Sequence, residues 1–412
     1  MNLAINIQRL QRDLEELGRI GSDLKGGVSR PSFSQADLEA RAWLKKRLHE
    51  ASLEIREDGA GNIFGRLRGK LEEPVILVGS HLDTVINGGR FDGTCGVVSA
   101  LECLRTIQEK GIVPYYPLEV VAFTDEEGNI IGDFLGSRAF TGTLNEEILR
   151  RGQTNFGQPL QNILEGTGIS LESILRAKNE APKVLAYLEL HIEQGELLDL
   201  EAVPIGLVTK ITGKRLYQAT FSGQVSHAGT TPMELRRDAF IGLAELAVRA
   251  TRLVAAEDED GRLTIGRVQL HPGSFSSIPG QADFTLDLRH PERENLIDLE
   301  KKIIGLAQEI AITRGLSFYY QLVDSTEPTP MSSRLLALLE EEVRNLNYPY
   351  LKLISGAGHD AQILAKITEA AMIFIPSING LSHSPEEAIR WEDLEKGANL
   401  LLQVLVRLAT SF

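Results

Sequence analysis

Four stretches of the chain are mostly apolar, and each runs into a polar residue able to bind metal or move protons. Pro74–Ser80 (PVILVGS) stops at His81, Leu118–Phe123 at Thr124-Asp125-Glu126-Glu127, and Val184–Leu190 at His191. Ala371–Pro376 leads through a loop to His383. Runs of this kind suit strands buried on both faces, as in a parallel sheet. Between the first two runs, Val97, Leu101, Leu104 and Ile107 mark one face of a helix over about Gly96–Lys110. Strand, helix and strand then form a parallel β-α-β unit. Near the N-terminus, Leu3, Ile7, Leu10, Leu14 and Leu17 fall at steps of four and three. That is an amphipathic helix stripe, and the charges between those residues argue against a secretory signal. Ser34 with Asp37 predicts a helix N-cap.

In the middle of the chain the pattern changes. Leu216–Phe221 alternates like a half-buried strand, and a helix follows over about Asp238–Leu253. Two strands come next, about Thr264–Leu270 and Ala282–Arg289, joined by HPGSFSSIPGQ. Leu296, Leu299, Ile303, Leu306 and Ile310 place a second helix, and Leu316–Val323 a last strand. This βαββαβ order is the ferredoxin-like unit. The expectation is an α/β protein of two domains. Residues 1–209 and 326–412 form a larger domain on a mostly parallel sheet, and residues 210–325 form the inserted unit. A chain of 412 residues also exceeds one typical core.

The formal charge of −14 argues against a nucleic-acid or anionic-membrane partner, since both demand a basic face. It leaves room for a small anion met by local arginines. No apolar run is long enough to span a bilayer. Cys95 and Cys103 form neither a CxxC nor a disulfide framework, which suits a reducing cytoplasm.

The strand-end residues form a set of imidazoles and carboxylates without a thiolate: His81 and Asp83, Asp92, Glu126 and Glu127, His191, His383. Such donors suit Zn2+, and also Mn2+ or Co2+. Taken singly, a strand-end histidine is more often a hydrogen-bonded structural residue, a Glu-Glu pair solvated surface, and GGRFDG a turn. Together they read differently, because burial penalises such groups unless they are paired or metal-bound. Open α/β sheets also bind ligands beyond the C-terminal ends of their strands. Two ions ~3.5–4 Å apart need a carboxylate between them. Asp92, flanked by glycines, can supply it, while Glu126 and Glu127 can divide proton transfer and metal binding.

Motifs along nearly the whole chain then point to a family. They are GSHLDTV, GGRFDGTCGV, FTDEEG, FLGSRAFTG, LELHIEQG, SHAGTTPMELRRDA, FTLDLRH, SGAGHDAQ and MIFIPSINGLSHSPEE. They resemble the hydantoinase/carbamoylase group of metal-dependent amidohydrolases, within the larger family of aminoacylases and carboxypeptidase-G-like peptidases. The group includes N-carbamoyl-L-amino-acid hydrolases, allantoate amidohydrolases and β-ureidopropionases. SGAGHDAQ and MIFIPSINGLSHSP are most similar to the allantoate amidohydrolases.

The resemblance implies two divalent ions per chain, Zn2+ foremost, with Mn2+ or Co2+ as alternatives. His81, Asp92 and His191 would hold one, Asp92, Glu127 and His383 the other. Glu126 would act as general base and then acid, with Asp83 as the carboxylate orienting His81. His227 would polarise the scissile carbonyl, often across a homodimer interface, which makes the inserted domain a lid and dimerisation module. Arg289, Arg215 and Gln194 would hold the substrate, the two arginines facing the cleft and gripping its carboxylate, with Ser276 and His359 beside it. The family has Asn where this chain has Ser276, so one short hydroxyl replaces an amide at that carboxylate. The implied reaction cleaves the C–N bond of a ureido or carbamoyl group on a small anionic substrate, allantoate first and N-carbamoyl-L-amino acids second. A dipeptidase or aminoacylase usually carries an acid where His191 stands. A metal-free binding relative would have a broken ligand set, and every position here is filled.

Overall fold

The four apolar runs become neighbouring parallel strands, in the order Leu118–Phe123, Val75–His81, Val184–Ile192, Glu369–Ile375. In the computed structural model, which describes residues 3–151, 154, 157–257 and 259–410, antiparallel strands flank this centre. Ile63–Leu67 and Glu54–Glu57 extend it beyond Leu118–Phe123, and Ile205–Ile211 beyond Glu369–Ile375. Alternate residues of each strand face opposite sides. Ile76, Val78, Val120, Leu188, Leu190 and Ile373 join the main core with Val97, Leu101 and Leu104 of helix Thr94–Glu109 and Leu401 and Leu405 of helix Trp391–Thr410. The N-terminal helix, Ile7–Leu17, buries Leu10, Leu14 and Leu17. Ser34 caps helix Gln35–Glu50 by accepting the Asp37 N–H.

The chain divides into two compact units, Met1–Thr209 with Met331–Phe412, and Lys210–Pro330. The second has its own antiparallel sheet, in the order Ser317–Thr326, Gly213–Ser222, Gln281–His290, Val268–His271. Fourth, first, third and second along the chain is the order that a ferredoxin-like unit requires. The stretch read as one strand over Thr264–Leu270 is two, Arg262–Thr264 and Val268–His271. Helices Ala239–Glu257 and Arg293–Arg314 cover one face. Leu243, Leu246, Leu296, Ile303 and Ile310 pack there against Tyr217, Phe221, Phe284, Leu286 and Leu288. Among the described residues, no helix is long and apolar enough to cross a membrane.

Candidate metal and catalytic centre

The parallel strands deliver their C-terminal residues to one place. His191 Nε2 lies 3.1 Å from Asp92 Oδ1, and His81 Nε2 lies 3.5 Å from the same oxygen. On the other side of that carboxylate, His383 Nε2 is 3.4 Å from Asp92 Oδ2 and 3.3 Å from Glu127 Oε2. Two donor sets, His81–Asp92–His191 and Asp92–Glu127–His383, therefore share Asp92. Glu126 Oε2 stands beside them, 3.6 Å from His81 Nε2.

Local structure aims these groups. His81 Nδ1 meets the main-chain carbonyl of Asp83 at 3.0 Å, and His191 Nδ1 that of Ile192 at 2.9 Å. A carbonyl only accepts, so each Nδ1 carries a proton and Nε2 is the nitrogen turned to the centre, where that of His191 also accepts the Gly93 N–H at 3.1 Å. Gly93 sits at φ +63°, and a Cβ there would lie 2.3 Å from His81 Nε2, so only glycine leaves room for the ring. Asp125, Gln194 and His383 also have positive φ, at 55°, 59° and 53°. Strained non-glycine backbone of this kind collects at functional sites. The Asp125 carboxylate accepts the N–H groups of Asn129 and Ile130, each at 3.0 Å, and so fixes the turn after Glu126-Glu127.

Asp83 departs from its expected role. Its carboxylate is 3.7 Å from His81 Nδ1, further than its own main-chain carbonyl. The carboxylate instead accepts the backbone N–H groups of Glu126 at 3.3 Å and Glu127 at 3.2 Å. It holds the Glu126-Glu127 turn, and the His81 ring is oriented by the main-chain carbonyl of residue 83 rather than by the Asp83 side chain.

Acidic groups crowd this centre. Burial, with Asp92 adding to it, pushes Glu127 up to about 8. Burial also drives Glu126 well above the carboxylate range, His81 opposing and Glu127 reinforcing. For His81, burial alone would lower the value, but Glu126, Asp92 and Asp83 outweigh it and hold the ring well above its ordinary value. Cations bound here would relieve this repulsion. His81 Nε2 and Glu127 Oε1 are buried without a hydrogen-bond partner, an expensive state for polar atoms unless something binds them. With donors of this chemistry, the residues fit divalent metal ions. A third grouping, Glu189–His191–His359, does not. Glu189 already accepts from Ser80 Oγ, Tyr187 Oη and the Ala361 N–H, and His359 Nε2 is 3.1 Å from Ser355 Oγ.

Residues 77–407 match the model of peptidase family M20/M25/M40. The chain belongs to this family. It is 37% identical to the N-carbamoyl-L-amino-acid amidohydrolase of Paenarthrobacter aurescens, over 97% of both chains. It is 34% identical to the allantoate amidohydrolase of Bacillus subtilis, over 96% of both. A crystal structure of a hydantoinase/carbamoylase family amidase from Burkholderia multivorans matches it with a TM-score of 0.87 at 32% identity, covering 99% of both chains. The M20-family chain is an amidohydrolase, an enzyme acting on C–N bonds.

The second unit of this amidohydrolase carries the remaining expected residues. His227 is exposed on the short strand Ser226–His227, which pairs with Ser277–Ile278. Its Nδ1 accepts the Gly229 N–H at 3.1 Å. Ser276, also exposed, gives its carbonyl to the Ala228 N–H and so lies beside His227 in the backbone. Arg289 is bound to Asp287, Nη2 to Oδ2 at 2.8 Å. Arg215 needs correction. Register pairs Arg289 with Lys214 and Arg215 with Leu288, and directly opposed residues share a face. Arg215 therefore lies on the helix-covered face, buried, 2.5 Å from Glu327 and 3.6 Å from Glu300. Arg289 lies on the opposite face. The two cannot grip one carboxylate together, and Arg215 has a structural role.

In the first unit, Gln194 Nε2 donates to Asp92 Oδ2 at 2.7 Å, and the buried His359 ring stands 4.5 Å from that of His191. Three further residues carry no signal that the strand-end pattern picks out. Ser382 donates to Asp92 Oδ2 at 2.7 Å. Glu387 accepts from the loop that carries Asp92. Asp360 is fully buried, and burial with Glu189 pushes it up to about 8, the Ser137 hydroxyl opposing. Ser382 and Glu387 flank His383 within GLSHSPEE, and that proximity is the one clue the sequence offers.

Proposed function

We propose that this amidohydrolase cleaves the C–N bond of a ureido or carbamoyl group on a small carboxylate, with allantoate as first substrate. The observation that carries this reading is the pair of donor sets sharing Asp92, with Glu126 3.6 Å from His81 Nε2. The choice of allantoate rests on the SGAGHDAQ and MIFIPSINGLSHSP segments. A second reading, an N-carbamoyl-L-amino acid, is favoured by the 37% identity to a curated enzyme of that name.

His81, Asp92 and His191 would hold one divalent ion, and Asp92, Glu127 and His383 the other, with Zn2+ favoured and Mn2+ or Co2+ as alternatives. Ions there supply Lewis acidity toward a carbonyl oxygen and lower the pKa of water. Glu126 takes a proton from the attacking water on its carboxylate and returns it to the leaving nitrogen. Asp83 keeps Glu126 aimed by holding its N–H. Gln194 and His359 line the centre from the first unit. For His227 as carbonyl polariser, and for Arg289 and Ser276 at the substrate carboxylate, the support is the family resemblance. A homodimer joined through the inserted unit accords with its edge strand Ser317–Thr326, which exposes Tyr319, Tyr320, Leu322 and Val323. Free, buried Cys95 and Cys103 accord with a cytoplasmic setting.

The test is ammonia release by metal-reconstituted enzyme from allantoate, N-carbamoyl-L-amino acids, N-carbamoyl-β-alanine and ureidoglycolate. Highest kcat/KM on allantoate supports the first reading, and preference for a carbamoyl amino acid supports the second. No turnover on any of the four overturns both.

A further inference from the structure

We propose that Glu387 is a positioning residue that locks the His383 segment onto the Asp92 loop and thereby selectively supports the Asp92–Glu127–His383 site. This rests on the two-ion reading above.

Glu387 is 4% exposed, and its hydrogen bonds run to two backbone N–H groups and one hydroxyl. A buried carboxylate is costly unless other groups satisfy it. Here backbone does. Glu387 Oε1 accepts the N–H of Phe91 at 2.7 Å and that of Asp92 at 3.2 Å. Oε2 faces Ser382 Oγ at 3.1 Å, and the same hydroxyl reaches Asp92 Oδ2 at 2.7 Å. Residues 382 and 387 thus both grip the Asp92 loop, and His383 lies between them. The loop has given way to allow this. A Cβ on Gly89 would stand 1.9 Å from Glu387 Cδ and 2.0–2.2 Å from its oxygens, so the carboxylate fits only against bare backbone.

The two donor sets differ in what else supports them. His81 and His191 are buried, and each ring is anchored at Nδ1 by a main-chain carbonyl. The His383 side chain is 48% exposed and sits at φ +53°. The contacts that place it are those to Asp92 and Glu127. Its position relative to Asp92 therefore depends on the clamp on either side of it. Asp92 serves both sites, but His81 and His191 keep their own anchors, so loss of Glu387 should loosen the Asp92–Glu127–His383 site more than the other.

Metal-free wild-type, Glu387→Ala, Glu387→Gln and Gly89→Ala proteins are titrated with Zn2+ against a chromophoric chelator, and bound ions are counted by native mass spectrometry. Groups that orient ligands are typically worth 10–100-fold in metal affinity. Glu387→Ala and Gly89→Ala should each weaken one of two ions by about that factor and the other distinctly less. Glu387→Gln should lose less than either, because its amide oxygen still accepts both N–H groups. Two ions held as tightly as in wild type by every variant overturns the proposal. So does equal weakening of both ions, or a Glu387→Gln loss as large as that of Glu387→Ala, which would mean that charge rather than position matters. A wild-type protein that binds fewer than two ions defeats the two-ion reading instead, so the two failures are told apart.

Discussion

Asp83 offers the sharpest test of how the centre is assembled, because two roles for it lead to different outcomes. Its side chain is 2% exposed and accepts two backbone N–H groups, from Glu126 and Glu127. Asparagine keeps the shape but replaces one acceptor oxygen with an NH2 group. That group then faces the N–H of one glutamate, donor against donor. A buried donor left unpaired costs about 1–3 kcal/mol, equivalent to about 5- to 150-fold in an equilibrium constant at ~1.4 kcal/mol per tenfold. Asp83→Asn should therefore lower kcat and weaken the ion associated with Glu127, each by a factor in that range. The His81–Asp92–His191 ion should stay, since His81 Nδ1 is held by the main-chain carbonyl of residue 83, which the substitution leaves in place. Zinc titration of the metal-free variant, read beside ammonia-release kinetics, separates the cases. Loss of the His81 site with the Glu127 site intact would refute this reasoning and return Asp83 to the role of a histidine-orienting carboxylate.

Removing metal with a chelator should lower the thermal midpoint, and Zn2+ should restore it: an ion present at a hundred times its Kd stabilises the native state by about 2.7 kcal/mol. A midpoint indifferent to saturating Zn2+ and Mn2+ would contradict the metal assignment. Glu126→Gln should retain its ions and lose ~10²–10⁴-fold in kcat, and near-normal turnover in the fully loaded variant would remove Glu126 from the proton-transfer role. Arg289→Ala should cost about 2–5 kcal/mol in kcat/KM toward a carboxylate substrate and little toward its amide analogue, whereas equal losses would make Arg289 structural. Mixing His227→Ala with Glu126→Gln subunits should recover activity if the dimer shares its centre, and no recovery after demonstrated exchange would exclude action in trans.

What the sequence makes legible depends on how far apart the interacting residues lie. The parallel strands are legible because burial on both faces leaves a largely apolar run, and His81, Glu126-Glu127 and His191 lie at or just past the strand ends. The flanking antiparallel strands are not, since Ile63–Leu67 carries Gly65 and Arg66 and has no such signature. Glu387 is hidden because its partners, Phe91 and Asp92, lie far away along the chain and bond to it through backbone. The role of Asp83 is hidden for a different reason: sequence does not distinguish a side chain from the carbonyl of the same residue.

The two arginines are a case where strand periodicity by itself is sufficient. Strand residues alternate between faces with period two. In Gly213–Ser222, Arg215 shares parity with Tyr217, Ala219 and Phe221, all buried in the inserted unit's core. In Gln281–His290, the core parity belongs to Ala282, Phe284, Leu286 and Leu288, which puts Arg289 on the other face. The alternation of apolar and polar residues thus separates the pair without reference to any contact. It also changes what mutation should do. Arg215→Ala removes a buried guanidinium stem together with its ion pairs to the exposed Glu327 and the half-buried Glu300, so it should lower the thermal midpoint without altering the preference for a carboxylate over an amide substrate. If Arg215→Ala instead shifted that preference at unchanged stability, the face assignment would be wrong, and with it the argument that one arginine, not two, is available to an anionic substrate.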